Sequence, residues 1–262
     1  MFRLMKVKPP HGWGGVGWEL LIVTLGVLIA LGAQQVVEAW QWRENVRAGE
    51  ETLRKDYVTI LANAGERKGE DRCIRARLLE LRNFLDAHPG SLPAIGHIGS
   101  PPRRPWYPGS WDGLVAADVS THMSRDETLA LSAIAQQARV ADDGARLELD
   151  DWNVLYTMVG PARALAPGEA AQIRKALTDA AAQLNWMRLN APQIEHTIFD
   201  TRLLREDDLK QVRKEVRVHL GGPNARHICG PIAPPDPTRV DAPYDPAIQA
   251  NPLFNRQSTG KK

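Results

Sequence analysis

The chain of 262 residues has few residues of several types, and lacks several motifs, on which common functions depend. It has only two cysteines, four tyrosines and four phenylalanines, and it contains neither a Gly-x-Ser-x-Gly nor a His-Glu-x-x-His motif. Without those motifs, the sequence gives no support for an α/β-hydrolase or a zinc peptidase. A formal net charge of +2 gives no electrostatic case for nucleic acid as a partner. We therefore expect no enzyme activity, no cofactor and no nucleic-acid partner.

The residues that are abundant favour helices. Ala, Leu, Arg and Glu are frequent, whereas Tyr, Phe and clusters of β-branched residues are scarce. The sequence predicts an all-α fold, in which one transmembrane helix continues into an antiparallel bundle of about five or six helices. We divide the chain into a short N-terminal segment (1–18), a transmembrane helix (19–39), a helical bundle (40–220) and a proline-rich extended tail (221–262).

One long apolar run stands near the N-terminus. The eighteen residues from Leu20 to Val37 carry no formal charge, and as a helix they would span about 27 Å, close to the ~30 Å of a bilayer core. Tryptophans, which prefer the headgroup level, flank both ends: Trp13, Trp18, Trp40 and Trp42. We predict a retained membrane span. The alternatives are a signal peptide cleaved near Ala30-Leu31-Gly32 and the core helix of a soluble protein.

The charges beside this run predict its orientation. Arg3, Lys6 and Lys8 precede it, and Arg43 and Arg47 follow it closely. Because basic residues favour the cytoplasmic side, this small excess predicts a cytoplasmic N-terminus. The bundle would then lie outside the cytoplasmic (inner) membrane, in the periplasm of a Gram-negative cell.

The residues of the run also carry a resemblance. Glu19 precedes Leu-Leu-Ile-Val, then Gly26-Val-Leu-Ile-Ala-Leu follows, and Trp40 comes shortly after. This pattern resembles the N-terminal anchor of a family of uncharacterised bacterial single-pass membrane proteins. The match covers about thirty residues. It implies a membrane anchor with a helical domain of unassigned activity, and it transfers no catalytic residue.

Apolar periodicity predicts the first helices of the bundle. Leu53, Tyr57, Ile60 and Ala64 share one face, and Ile74, Leu78, Leu81 and Leu85 share another. Gly65 and Gly69 stand between the two sets and predict a turn there. Residues 88–109 hold six prolines and four glycines and predict a long irregular loop.

Later helices are predicted by caps and by a heptad pattern. Ser124 and Glu127 form a capping-box pattern, and Gly144 predicts the end of that helix. After Pro167 a coiled-coil-like seam predicts one long helix that continues through Pro192, with these members: Ile173, Leu177, Ala180, Leu184, Met187, Ala191, Ile194 and Ile198. Residues 206–220 predict a charged final helix.

Three groups of residues are candidates for sites. Cys73 and Cys229 would form a disulfide if the bundle lies outside the cytoplasm, and otherwise they are two unrelated thiols. His219, His227 and Cys229 have a spacing that only loosely fits zinc, and no fourth ligand is visible, so we assign no metal site. His196 and Asp200, four residues apart, are expected to form a surface pair.

Partners are predicted from the span and from one loop. Gly26, Ala30 and Ala33 form a small-residue face that predicts a homodimer through the membrane helix. The lipid bilayer is the other partner that the span predicts. The stretch Pro-Pro-Arg-Arg-Pro-Trp-Tyr-Pro-Gly-Ser-Trp (101–111) either binds a partner or packs its aromatics on its own bundle, and we favour packing. The function predicted is binding or scaffolding with an unknown protein partner. The alternatives are ligand sensing through a partner and, less favoured, a metal-dependent enzyme.

Overall fold

The computed structural model describes residues 12–232, and the all-α prediction is confirmed. The helices within this range are α1 (Gly12–Ala87), α2 (Ser110–Ala116), α3 (Arg125–Leu155), α4 (Pro167–Asp200), α5 (Glu206–Leu220) and α6 (Pro223–Cys229). Two short strands, β1 (Ser91–Leu92) and β2 (Arg163–Ala164), pair antiparallel beside the bundle. One-turn 3₁₀ helices cover Val119–His122 and Tyr156–Met158.

Helix α1 is continuous over 76 residues, so the predicted turn at Gly65 and Gly69 is wrong. At ~1.5 Å per residue, this helix is about 114 Å long. A Cβ on Gly65 would lie 2.5 Å from Cγ2 of Val216, and one on Gly69 would lie 2.6 Å from Cδ2 of Leu220. Both glycines therefore let α5 approach α1 closely, and they do not end the helix.

The start of α3 was predicted correctly, and its predicted end was wrong. The backbone N–H of Glu127 donates to Oγ of Ser124 at 3.2 Å, and the Ser124 N–H donates to Oε2 of Glu127 at 3.4 Å, which completes the capping box. The helix passes through Gly144 to Leu155. Gly144 is buried where α3 meets α4, and a Cβ there would lie 2.6 Å from Cζ3 of Trp186.

Helix α4 confirms the heptad seam. All eight members of the seam are buried, and Pro192 lies inside the helix without ending it. Pro167 occupies the first turn, where its missing N–H and fixed φ favour helix initiation.

Two apolar cores lie along α1. The core nearer the N-terminus joins α1 residues 53–64 to α3 residues 131–141 and α4 residues 187–198. The distal core joins α1 residues 74–85 to the end of α3, to α4 residues 173–184 and to the loop that contains β1. From the first core to the distal core, the residue numbers increase along α1 and α3 and decrease along α4. Helix α3 therefore runs parallel to α1, and helix α4 runs antiparallel to it.

The segment expected to be extended from residue 221 begins instead with α6. Ala225 and Ile228 of this helix are 4% and 2% exposed, and Ile228 belongs to the distal core. Burial of these side chains explains why a short helix forms in a stretch that starts with glycine and proline. The bundle therefore extends past residue 220, and residues 233–262 of the predicted tail lie outside the described residues. The proline-rich loop 88–109 is irregular apart from β1, as predicted.

One stretch among residues 12–232 is long and apolar enough to cross a membrane. It lies at the start of α1, where an 18-residue window has a mean hydropathy of 2.2 and is 0% buried. The protein therefore has an apolar N-terminal helix that no other part of the described chain covers.

Candidate functional site

A layer of charged side chains separates the two apolar cores. Glu66, Arg67 and Glu70 project from α1, and Glu148 projects from α3; all four are at most 5% exposed. Burying a charge costs several kcal/mol unless it is paired and hydrogen-bonded. The partners of each group therefore decide whether the layer is structural or functional.

Most of the layer is paired. Nη2 of Arg67 donates to Oε1 of Glu148 at 2.5 Å, which ties α1 to α3. Arg104, from the proline-rich loop, donates to both oxygens of Glu66 at 2.9 and 3.2 Å. Nδ1 of His219, on α5, lies 3.4 Å from Oε2 of the same carboxylate. Glu66 thus holds the loop to α1 through Arg104, and it lies beside His219 of α5, whose Nδ1 makes no hydrogen bond with a described residue.

Glu70 is the exception in this layer. It is 0% exposed, and neither of its carboxyl oxygens has a hydrogen-bond partner within residues 12–232. Its burial, and secondly the nearby Glu66 carboxylate, raise the pKa of Glu70 to about 7. Near neutral pH this carboxyl group is therefore divided between a protonated and an ionised form.

The buried indole N–H of Trp152 also lacks an acceptor among the described residues. Arg67 pairs with Glu148, and one helical turn further along the parallel helices come Glu70 and Trp152. A donor and an acceptor without partners therefore occupy the same level of the bundle. An unpartnered buried polar group costs about 1–3 kcal/mol.

A cavity of about 290 Å³ opens beside this layer, between loop residues 100–105 and α3. Three prolines and Leu149 supply much of the apolar wall of the cavity. Arg104 and Glu148, which also line it, take part in the charged layer, and Trp152 adjoins that layer. Its volume lies near the lower end of the ~300–1,000 Å³ of small-molecule sites. A concave apolar surface that also presents polar side chains can hold a small ligand with a hydrogen-bonding group.

The aromatic residues of the loop pack on their own bundle, which confirms the favoured interpretation. Trp106 and Trp111 are 3% and 7% exposed and belong to the core nearer the N-terminus. The backbone N–H of Trp106 donates to Oδ1 of Asp142 at 2.9 Å, and the side-chain amide of Asn63 donates to the Pro105 carbonyl at 2.8 Å. These bonds hold the loop against α1 and α3.

A disulfide joins Cys73 of α1 to Cys229 of α6, with their Cα atoms 4.8 Å apart. The buried guanidinium of Arg77, one turn further along α1, donates to the carbonyls of Ile98 and Gly230. The bridge and the arginine together fasten α6 and the loop to the same part of α1.

The three residues weighed as zinc ligands do not form a site. His219 faces Glu66, the sulfur of Cys229 is bonded to Cys73, and the His227 ring packs edge-on against His97 with centroids 4.6 Å apart. Among residues 12–232, no group of three or more His, Cys, Asp or Glu side chains could hold a metal ion. His196 and Asp200 form the expected pair, 3.0 Å apart, with both side chains largely exposed.

The predicted dimer face lies on the uncovered part of α1. Gly26, Ala30 and Ala33 are exposed in the single chain, and a Cβ on Gly26 would meet nothing within 4 Å. The face is therefore available to lipid or to a second helix.

The charged layer was not predicted from the sequence, although its pattern was present. If the spacing of Ile60 and Ala64 is continued in steps of three and four, it reaches Arg67, Asp71 and then Ile74. The two apolar sets therefore share one phase across the glycines, which indicates a single helix with a charged interval on its inner face.

Comparison with family models, with curated proteins and with solved structures found no match for this chain. A functional hypothesis therefore rests on the residues and their geometry.

Proposed function

We propose that this chain is a single-pass protein of the cytoplasmic membrane, whose helical bundle lies outside the cytoplasm and binds or scaffolds a protein partner. The observation that carries the proposal is the apolar start of α1. Its most hydrophobic window is 0% buried, yet the same unbroken helix supplies the inner face of both cores. An exposed apolar surface of this length is typical of contact with a membrane or with another protein.

The uncovered window argues against the helix of a soluble core, because such a helix would be enclosed by its neighbours. A cleaved signal peptide is a separate alternative, since the cores begin only at Leu53. Mass spectrometry of protein purified from membranes distinguishes the two. We expect the intact N-terminus, and a chain that begins near Ala33 would contradict the anchor.

Two features support a location outside the cytoplasm. Basic residues are slightly more frequent before the span than after it, which favours a cytoplasmic N-terminus. The disulfide between Cys73 and Cys229 is of a kind that persists in oxidising compartments. A phosphatase fused at Lys262 should be active. An inactive phosphatase together with a fluorescent cytoplasmic reporter at the same position would reverse the orientation.

The binding or scaffolding role is supported by the rigid packing of the bundle. Its charged layer is mostly engaged in pairs that hold helices together, and the loop aromatics are packed in the core. We expect crosslinking in intact membranes, followed by affinity purification, to recover a specific protein neighbour. Recovery of lipid alone would contradict a scaffold.

A ligand-sensing role is the second candidate, and the cavity beside Trp152 favours it. A sensor of this kind would signal through a partner protein. Thermal-shift screening of the full chain in detergent tests it, because a bound ligand raises the melting temperature. A hit should be weakened by Trp152→Phe, which keeps an aromatic side chain but removes the five-membered ring of the indole with its N–H group.

We also propose that the span forms a homodimer through Gly26, Ala30 and Ala33. Small residues on one face let two helix backbones approach closely in lipid. Gly26→Ile and Ala30→Ile should weaken association in a membrane-helix reporter assay, whereas Leu28→Ile, on a different face, serves as the matched control. An association signal that survives both small-to-large changes would make the span a passive anchor.

A further inference from the structure

The cavity of about 290 Å³ beside Trp152 is a slot between the proline-rich loop and one face of α3. Its floor is a row of α3 side chains three and four residues apart: Asp142, Ala145, Leu149 and Trp152. Its roof belongs to residues 98–106, the strap, and includes three prolines: Pro101, Pro102 and Pro105. The slot follows α3 for about 15 Å at ~1.5 Å per residue.

The strap is held in place at both ends. The backbone N–H of Trp106 donates to Asp142 at 2.9 Å, and the Arg104 guanidinium is bound to both oxygens of Glu66. At the other end, Ile98 is 0% exposed and belongs to the distal core. The slot is therefore a preformed feature of the fold, as small-molecule sites usually are.

The two carboxylates that line the slot already have partners. Asp142 accepts from the Trp106 N–H through Oδ1, and its Oδ2 lies 2.8 Å from Nη2 of Arg146. Glu148 accepts from the buried Arg67. Neither carboxylate therefore needs a cationic ligand to balance its charge.

Several N–H donors of the lining, in contrast, are free. Arg103 is exposed and makes no ion pair with another described residue. Arg146 pairs with Asp142 through Nη2, and its side chain is 74% exposed; a guanidinium group has five N–H donors in all. The buried indole N–H of Trp152 has no acceptor among the described residues. These donors favour a ligand that supplies acceptors, and the two arginines favour a negative charge.

The positions of these groups give the slot a polar mouth and an apolar inner end. Arg103 and Arg146 are exposed, whereas Pro101 is buried and Trp152 is 1% exposed. A ligand would then place its charge at the mouth and its apolar part beside the indole. The slot has the volume of about ten water molecules at ~30 Å³ each, which suits a ligand of about ten non-hydrogen atoms.

We propose that this slot binds a small aromatic carboxylate. Arg103 and Arg146 hold the carboxylate at the mouth through charge-assisted hydrogen bonds. The ring of the ligand lies between the prolines of the strap and the indole of Trp152, where two aromatic rings pack favourably. This inference rests on the ligand-sensing role, the second candidate above, and it names the chemical class of the ligand.

The first experiment compares three probes that share one aromatic body and differ in charge: phenylacetate, phenylacetamide and phenethylamine. The full chain in detergent carries ¹⁵N-labelled tryptophan, and each indole N–H gives one NMR signal. Trp152→Phe and Trp40→Phe assign two of these signals. Trp40 lies in the uncovered part of α1 and reports any probe that enters the detergent micelle.

We expect phenylacetate to shift the Trp152 signal saturably and to leave the Trp40 signal unchanged. It should bind about ten-fold more tightly than phenylacetamide, because hydrogen bonds to charged groups are the stronger ones, and phenethylamine should bind most weakly. Equal or tighter binding of phenylacetamide or phenethylamine would overturn the carboxylate class and leave a ligand-binding slot. No saturable shift of Trp152 with any probe would overturn the proposed site, and the broader thermal-shift screen would still decide the sensing role.

The second experiment assigns the preference for a carboxylate to the arginines at the mouth. Arg103→Gln/Arg146→Gln should bind phenylacetate and phenylacetamide with similar affinity. Arg72→Gln/Arg82→Gln, which changes two exposed arginines of α1, is the matched control and should keep the preference for phenylacetate. Because all four side chains are exposed, both variants should retain the circular dichroism of the wild type. A preference that is the same in all three proteins would overturn the role of Arg103 and Arg146.

Discussion

Replacing Glu70 by glutamine should stabilise the protein, and the gain should depend on pH. The wild-type carboxyl group is fully buried and lacks a hydrogen-bond partner among the described residues, so its ionised form is disfavoured in the folded state. Glutamine has nearly the same shape and cannot ionise. The substitution therefore removes the cost of a buried charge and leaves the packing intact.

The size and the pH dependence of this stability gain follow from the pKa values of Glu70 in the folded and unfolded states. Glu70 titrates at about 7 in the folded protein, against a reference of 4.5. Between these values the folded state holds a proton that the unfolded state has released, so stability falls as pH rises through this window. This difference between the two pKa values corresponds to a destabilisation of about 3 kcal/mol, which is complete only above pH 7. The destabilisation vanishes below about pH 4.5.

Urea unfolding of the full chain in detergent, followed by circular dichroism, measures this effect. We expect Glu70→Gln to exceed the wild type by about 2–3 kcal/mol in free energy of unfolding at pH 8, and the two proteins to be nearly equal at pH 4.5. Groups that titrate in both proteins, such as Asp151, whose pKa is raised to about 6 by burial, cancel in the comparison. A stability difference that does not change with pH, or a variant less stable at pH 8, would refute the account of Glu70.

Further predictions concern the other close contacts. Cys229→Ser opens a loop of 156 residues and should cost up to about 5 kcal/mol, or on the order of 10 °C in melting temperature, with slower migration in non-reducing gels; unchanged melting would show that the bridge adds nothing. Gly144→Ala should lose about 1–2 kcal/mol because its Cβ would displace Trp186, despite the better helix propensity of alanine; a gain in urea midpoint would contradict that contact. Arg67→Met should lower the free energy of unfolding by about 3–5 kcal/mol, because it leaves the buried Glu148 carboxylate without its partner. Adding Glu148→Leu should recover most of this loss. A double variant no more stable than the single one would mean that the broken ion pair does not cause the loss.

The apolar patterns were predictable because they depend on short-range spacing. The capping box at Ser124 and the seam of α4 are set by residues three and four apart, and a regular helix places such residues on one face whatever surrounds it. The same holds for the uncharged run from Leu20 to Val37. Its length and its flanking tryptophans are properties of the sequence alone.

The candidate sites were less predictable because they combine distant segments. The charged layer brings together α1, the proline-rich loop, α3 and α5 through Glu66, Arg104, Glu148 and His219. The stacking of His122 on Trp42 likewise joins segments about eighty residues apart. No local pattern specifies either approach.

The sequence by itself determined that the protein is helical, that an uncharged apolar run near the N-terminus is long enough for a membrane-spanning helix and that one later helix carries a heptad seam. Only the tertiary structure decided what the glycines of α1 and α3 do. A glycine weakens a helix through its backbone freedom, and it also allows another helix to approach where a Cβ would collide. Gly65 is a contact point because Val216 of α5 lies against it, and Gly144 is one because Trp186 of α4 does. Each outcome depends on a residue far away in the chain, so the spacing around the glycine could not reveal it.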